Sequence, residues 1–202
     1  MKTPHIVKGY GPLDLFLAKR RYKIAKRQIK LAKKNGRILD IGCGSYPLFL
    51  LNIGFAEKYG LDKEIETTVK DKIKKQGIIL TSSDIENEEK LPFEDNYFDV
   101  VSMLAVFEHI ESEKLVGIHR EIYRVLKPGG MYVMTTPAIW TDFLLRSMAK
   151  LHLISDASIK EHKNSYNHSM ISSILQEAHF QKNNLRFGYF ELFMNIWATA
   201  TK

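Results

Sequence analysis

Gly42 and Gly44, separated only by Cys43, follow the run Arg37-Ile38-Leu39-Asp40-Ile41 and mark the place where this chain could do chemistry. A short apolar run that breaks at once into two glycines is how a buried parallel strand emerges into a tight turn beneath a ligand. Glycine permits positive φ there and lets a ligand approach the backbone without meeting a Cβ. A dinucleotide turn needs a third glycine, G-x-G-x-x-G, where this chain has Pro47, so that fingerprint fails. A second run, Phe55 to Leu61, stops at Asp62, 20 residues past Gly42. At that spacing α/β nucleotide sites set a carboxylate on ribose hydroxyls, and one carboxylate can accept from both. His109 closes a further apolar run and could accept a proton near neutrality, its alternative role being to pin the loop. Cys43, with no histidine in its motif, reads as a small tolerated side chain rather than a nucleophile.

The elements that must position these residues alternate. Short apolar runs near 38–42, 55–61, 78–82, 98–104, 130–136, 184–190 and 192–200 read as strands. Amphipathic stretches at 13–34, 64–75, 113–126 and 169–179 read as helices. Alternation of this kind predicts β-α-β units and a parallel sheet. The last two strands differ, because Gly188 to Glu191 leaves no room for a crossover helix, so they must form an antiparallel hairpin. Ser169 or Asn167 can cap the last helix. Lys127-Pro128-Gly129-Gly130 reads as a helix-to-strand turn. The segment 138–168 carries Trp140, His152, Asp156, His162, Tyr166 and His168 without strong periodicity. So long a connection after the fifth strand predicts a lid over the carboxyl ends of the sheet, where α/β folds bind ligands.

Leu39-Asp40-Ile41-Gly42-Cys43-Gly44 resembles motif I of the class I S-adenosylmethionine-dependent methyltransferases, with Tyr46 standing where the family usually has a third small residue. The resemblance runs in order through residues 37–137 and loosely to the C-terminal hairpin. It implies a Rossmann-like α/β fold: a seven-stranded, mostly parallel sheet with an antiparallel C-terminal hairpin strand and helices on both faces. It also implies S-adenosyl-L-methionine as cofactor and S-adenosyl-L-homocysteine as product. Asp40, Gly42, Cys43 and Gly44 would serve the amino-acid end of the cofactor and Asp62 the ribose. In Ser82-Ser83-Asp84-Ile85, Asp84 would take the adenine amine and the Ile85 amide the ring. The turn from Met103 through Leu104 to Ile110 would lie beside the methionine part and the transferable methyl. The Tyr166-Asn167-His168-Ser169 lead is similar to the small-molecule branch that includes quinone-biosynthesis enzymes. His109 and His168 are the candidate bases if the acceptor is a hydroxyl. No Asn-Pro-Pro-Tyr element and no Pro-Cys nucleophile follow strand four, which disfavours amide, exocyclic-amine and covalent cytosine methylation. No Cys/His cluster has zinc-ligand spacing, so no metal is expected.

The chain has 202 residues, one cysteine and a net charge of +7. Its length suits one core, and no stretch approaches the roughly 20 apolar residues of a membrane span. The lone cysteine and the polar start, Met1 to His5, predict a cytoplasmic protein. Residues 1–37 hold 12 Lys/Arg and one acid, whereas the remaining 165 carry a net −4. The expected organisation is a basic amphipathic helix within 1–36 and a methyltransferase domain over 37–202, with a substrate-cap insertion at about 138–168. Lys19, Lys23, Lys26, Lys30 and Lys33 share one side of that helix; Leu13, Leu17, Ile24, Leu31 and Ala32 share another. A basic face is usually solvated surface, but it could attract polyanions. Methylation of a small molecule is therefore weighed against RNA or protein methylation docked through this helix, and against cofactor binding without turnover.

Overall fold

The computed structural model describes residues 12–29, 35–141 and 165–202. Helix α1 (Pro12–Gln28) precedes strand β1 (Arg37–Ile41), the short α2 (Leu48–Asn52) and β2 (Glu57–Asp62). Helix α3 (Thr67–Lys74), β3 (Ile78–Ser82), β4 (Phe98–Leu104), α4 (Ser112–Val125) and β5 (Leu126–Pro137) follow. Helix α5 (His168–Glu177) leads to β6 (Leu185–Phe190) and β7 (Asn195–Thr201). The strands form one sheet in the order β3-β2-β1-β4-β5-β7-β6. β1 to β5 pair in parallel, while β7 lies antiparallel between β5 and β6. The seven-stranded fold is the one implied by the motif series.

Central strands are buried on both faces, as parallel strands under two helical layers must be. Along β1 the side chains alternate: Leu39 and Ile41 join a core with Met103, Met134, Ile122 of α4 and Leu175 of α5. Ile38 joins the opposite core with Val100, Val133, Ile73 of α3, Ala25 of α1 and Ile29 just past its end. Helix α1 thus packs on the sheet through small and apolar residues and leaves Lys19, Arg20, Lys23, Lys26 and Arg27 exposed. Lys30, Leu31, Ala32 and Lys33 fall outside the described residues. At the amino end of the sheet Asp99 is structural, accepting from the Arg37 amide at 2.8 Å and pairing with Lys127 at 2.6 Å.

Three local differences from the sequence expectation have physical causes. Helix α2, with Phe49 and Leu50 buried, is too short to show a helical period. The Lys127–Gly130 turn lies within β5, where the register skips from Phe98↔Leu126 to Val100↔Met131 and Gly129 has φ +75. The hairpin turns at 191–194 and not at 188–191, so Leu192 and Phe193 are turn residues instead of strand. Glu191, Leu192 and Phe193 all have positive φ, a sequence-invisible conformation that glycine or asparagine would adopt more cheaply. Of the two cap candidates, Ser169 and Asn167, it is Asn167 that caps α5, its Oδ1 accepting from the Met170 amide at 3.0 Å.

A buried polar chain crosses the first core. The His119 ring lies against the Leu115 carbonyl at 2.7 Å through Nδ1 and the Tyr132 hydroxyl at 2.9 Å through Nε2, so the neutral imidazole can donate to the former and accept from the latter. Burial pushes the His119 pKa down to about 4.

Candidate active site

The turn after β1 is held from two sides. The amides of Gly42 and Cys43 both donate to the Leu61 carbonyl, at 2.7 and 3.3 Å, tying the turn to the end of β2. The Gly44 amide donates to Asp62 Oδ2 at 2.8 Å, and Asp62 Oδ1 accepts from the Glu64 amide at 3.2 Å. Gly42 has φ +71, and a Cβ there would sit 2.1 Å from Val106 Cγ2. Val106 comes from the turn after β4, which Ala105 enters at φ +57 with its amide donating to the Thr135 carbonyl at 2.9 Å. Gly44 also has positive φ, but a Cβ there would find nothing closer than 4.0 Å.

Between these turns, at the carboxyl ends of β1 to β4, lies a cavity of about 420 Å³. That volume is within the range of small-ligand sites. Gly42, Asp62, Asp84, Ile85 and His109, far apart in sequence, all line it. Asp84 Oδ1 accepts from the Glu86 amide at 3.1 Å and Oδ2 from Asn87 Nδ2 at 2.8 Å, which fixes the carboxylate at the cavity edge. Lys63, Ser83, Glu86, Val106 and Ile110 also contribute to the lining. Val106 and Ile110 belong to the turn the resemblance sets beside the methionine part; sequence reasoning missed Lys63, Ser83 and Glu86, although Lys63 and Ser83 adjoin residues it chose.

Four other sequence-predicted cofactor residues stand behind or beside the wall. Asp40 is buried and accepts from Ser102 Oγ at 2.7 Å. Cys43 is buried toward the second core, and burial pushes its thiol well above the ordinary range, which leaves it inert as a nucleophile. Its small side chain fits where Gly60 passes: a Cβ at Gly60 would come within 2.7 Å of Cys43 Sγ. Gly44 shapes the loop through Asp62, and Leu104, half-buried, packs against the second core. His168 does not line the cavity. It begins α5 and stacks on Tyr189 and Phe187, ring centroids 4.4 and 5.3 Å away, and burial lowers its pKa. His152, Asp156 and His162 lie outside the described residues. Among those described, no group of His, Cys, Asp or Glu is placed to hold a metal ion. Tyr46 does not line the cavity either; its carbonyl accepts from the Leu48 amide at 2.7 Å at the start of α2.

Burial raises the Asp40 pKa to about 7, the Ser102 hydrogen bond opposing and the Asp62 charge adding. A raised acid contributes stability below its unfolded value near 4 that is lost as pH rises toward 7. His119 runs the other way: its contribution is complete above about 6.5 and lost as pH falls toward 4, a loss of about 3 kcal/mol over that window. The two therefore oppose between pH 4 and 7. Asp40→Asn keeps an acceptor for Ser102 and removes one slope. Denaturant unfolding of that variant should show stability rising more steeply with pH across this window than in the parent. An unchanged slope would remove Asp40 as a titrating group.

The sheet order, the glycine turn after β1 and the carboxylates after β2 and β3 define the class I S-adenosylmethionine-dependent methyltransferase fold. Residues 39–134 match the family model of a methyltransferase domain. The chain is 35% identical over 107 residues to the ubiquinone/menaquinone biosynthesis C-methyltransferase of Neisseria meningitidis, covering 48% of this chain and 41% of that protein. It is 33% identical over 150 residues to an uncharacterized methyltransferase of Schizosaccharomyces pombe, covering 62% and 52%. The chain thus spans about half the length of these curated relatives. Among solved structures, an S-adenosylmethionine-dependent methyltransferase from Archaeoglobus fulgidus superposes with a TM-score of 0.65 at 20% identity, covering 95% of this chain and 100% of that one. One from Thermotoga maritima, described as a possible histamine N-methyltransferase, gives 0.65 at 20% identity over 93% and 92%. Family and fold imply S-adenosyl-L-methionine as the cofactor.

Proposed function

We propose that this protein transfers a methyl group from S-adenosyl-L-methionine to a small-molecule acceptor, releasing S-adenosyl-L-homocysteine. The observation that carries the reading is the convergence of Gly42, Asp62, Asp84, Ile85 and His109 on one cavity. The residues suit the cofactor. Asp62 spends two of its carboxylate acceptor sites on the Gly44 and Glu64 amides and has two left for a ribose diol. Asp84 would take the adenine amine and Ile85 the ring, and the turn at Gly42, Cys43 and Gly44 would hold the amino-acid end, supported by Asp40 and Leu104 from behind the wall. When bound, S-adenosylmethionine supplies a methyl on a sulfonium, already a good leaving group. The protein's share is then alignment of the acceptor and exclusion of water. His109, which lines the cavity where His168 does not, would take the proton a hydroxyl acceptor sheds as it gains the methyl.

The small-molecule acceptor is supported by the likeness to a quinone C-methyltransferase. The cap expected at about 138–168 lies mostly outside the described residues; its described ends, Ala138 and Tyr166, bridge each other at the carboxyl end of β5, and the Ile139 amide donates to the Tyr166 carbonyl at 3.0 Å. Of the basic amphipathic helix expected within 1–36, the described part is α1, which packs on the sheet of the expected domain 37–202. Calorimetry should show binding of both S-adenosylmethionine and S-adenosylhomocysteine. With a methyl-labelled donor and a cell extract, label should enter the low-molecular-weight fraction and not RNA or protein. For a hydroxyl acceptor, His109→Ala should lower kcat by roughly 100-fold or more with donor affinity unchanged. Absence of donor binding would overturn the reading, and donor binding without transfer to any fraction would favour a non-catalytic binder.

A further inference from the structure

The large apolar residues that the fold leaves exposed are concentrated at one corner of the sheet's carboxyl edge. Leu192 and Phe193, at the tip of the β6–β7 hairpin, are 85% and 66% exposed. Trp140, 52% exposed, donates its indole N–H to the Phe193 carbonyl at 3.1 Å, and the Tyr189 ring lies 5.7 Å from that of Phe193. Phe16 of α1, 55% exposed, joins through Arg20, which lies over its ring and pairs with Glu191 at 3.6 Å. Two features argue against an accident of folding. Leu192 and Phe193 occupy left-handed backbone that Asn or Gly would take at lower cost, and neither side chain is buried for it. The apolar corner also adjoins strong positive charge: α1 carries six Lys/Arg against one acid, with Lys19, Arg20 and Lys23 exposed beside Phe16. Glu191 turns inward, its side chain only 6% exposed and bonded by Asn195 Nδ2 at 2.8 Å.

We propose that this corner, made by α1 and the β6–β7 tip, docks the protein on an anionic membrane surface, the apolar tip entering the interface and the basic helix face meeting the headgroups. Trp, Phe and Leu beside Lys and Arg are the composition of interfacial membrane contacts. Among the described residues no helix is long and apolar enough to cross a membrane, so the contact is peripheral. A nucleic-acid partner fits less well, because the most exposed residue of the tip, Leu192, is aliphatic and offers a base no stacking face. The proposal is independent of the methyl-transfer reading.

The test is co-sedimentation of the full chain with vesicles of phosphatidylcholine alone or with one-third phosphatidylglycerol. Binding should be at least about tenfold tighter to the anionic vesicles and weaken as salt is raised. Lys19→Gln with Lys23→Gln should lower it by about 25-fold, each basic residue being worth about fivefold. Leu192→Asn with Phe193→Gly should lower it about tenfold while leaving Tm unchanged or raised, which a merely structural tip would not allow. Equal or absent binding to both vesicle types overturns the proposal, as does binding indifferent to the tip pair. A dimer dissolved by the tip variant without vesicle binding assigns the corner to a second copy. Equal displacement by homopolymer RNA with no effect of the tip pair assigns it to nucleic acid.

Discussion

Replacing Gly42 with alanine should abolish measurable donor binding, weakening it by at least 100-fold. Two costs act together. The position has φ +71, which an L-residue adopts at about 1–2 kcal/mol. The new Cβ would also sit 2.1 Å from Val106 Cγ2, well inside any tolerable contact, so Val106 must move. Val106 lines the cavity, and its displacement intrudes on the space that Gly42 borders. Tm should fall by roughly 5–10 °C, the response of a domain of this size to a few kcal/mol. Gly44→Ala is the control, since it has the same backbone strain, φ +67, and nothing for its Cβ to strike. It should cost about 1 kcal/mol of stability and leave most of the donor affinity. Adding Val106→Ala to Gly42→Ala removes the methyl in conflict and should restore part of the binding without restoring the strain component. Calorimetry on the four proteins separates the two costs. If Gly42→Ala and Gly44→Ala behave alike, close packing at Val106 is not what the glycine serves.

The contrast between Gly42 and Gly44 shows where sequence was sufficient. A strand ending in two glycines declares positive φ, because only that need explains both residues at once. It does not declare the neighbour across the turn, and Val106 comes from the turn after a strand some 60 residues later. Asp62 was legible from its spacing past Gly42 and Asp84 from the resemblance of its motif, and both line the cavity. His168 was proposed on its local motif, and the fold stacks it on Tyr189 and Phe187 instead. That pairing depends on β6, a hairpin strand whose placement no local pattern encodes. The same holds for the tip: Leu192 and Phe193 extend an apolar run and read as strand, while the backbone turns through them in left-handed conformation. Hydrophobicity marked the run as strand and backbone conformation made it a surface. Cys43 illustrates the reverse. Its inertness followed from its flanks alone, and the fold adds the reason it is small, the close passage of Gly60.

Removing the Asp62 carboxylate should be the most damaging change that leaves the cavity's shape intact. Its Oδ2 accepts from the Gly44 amide at 2.8 Å and its Oδ1 from the Glu64 amide at 3.2 Å, so the side chain fixes the glycine turn while offering its remaining lone pairs to the cavity. Asp62→Ala loses both functions. Charge-assisted hydrogen bonds contribute about 1.5–3 kcal/mol each, so donor affinity should fall by about 100-fold, with a modest drop in Tm from the unpinned loop. Asp62→Asn is more informative. Its single amide oxygen can serve Gly44 or Glu64 but not both, its amide nitrogen would face an N–H donor, and the net charge is gone. It should lose about tenfold in affinity. The ribose role and the loop role are then separated by ligand chemistry. Adenosine and 2′,3′-dideoxyadenosine should differ strongly in affinity for the parent protein and hardly at all for Asp62→Ala. If the two ligands bind the parent equally, Asp62 only pins Gly44, and the ribose must be recognised by another cavity group such as Lys63.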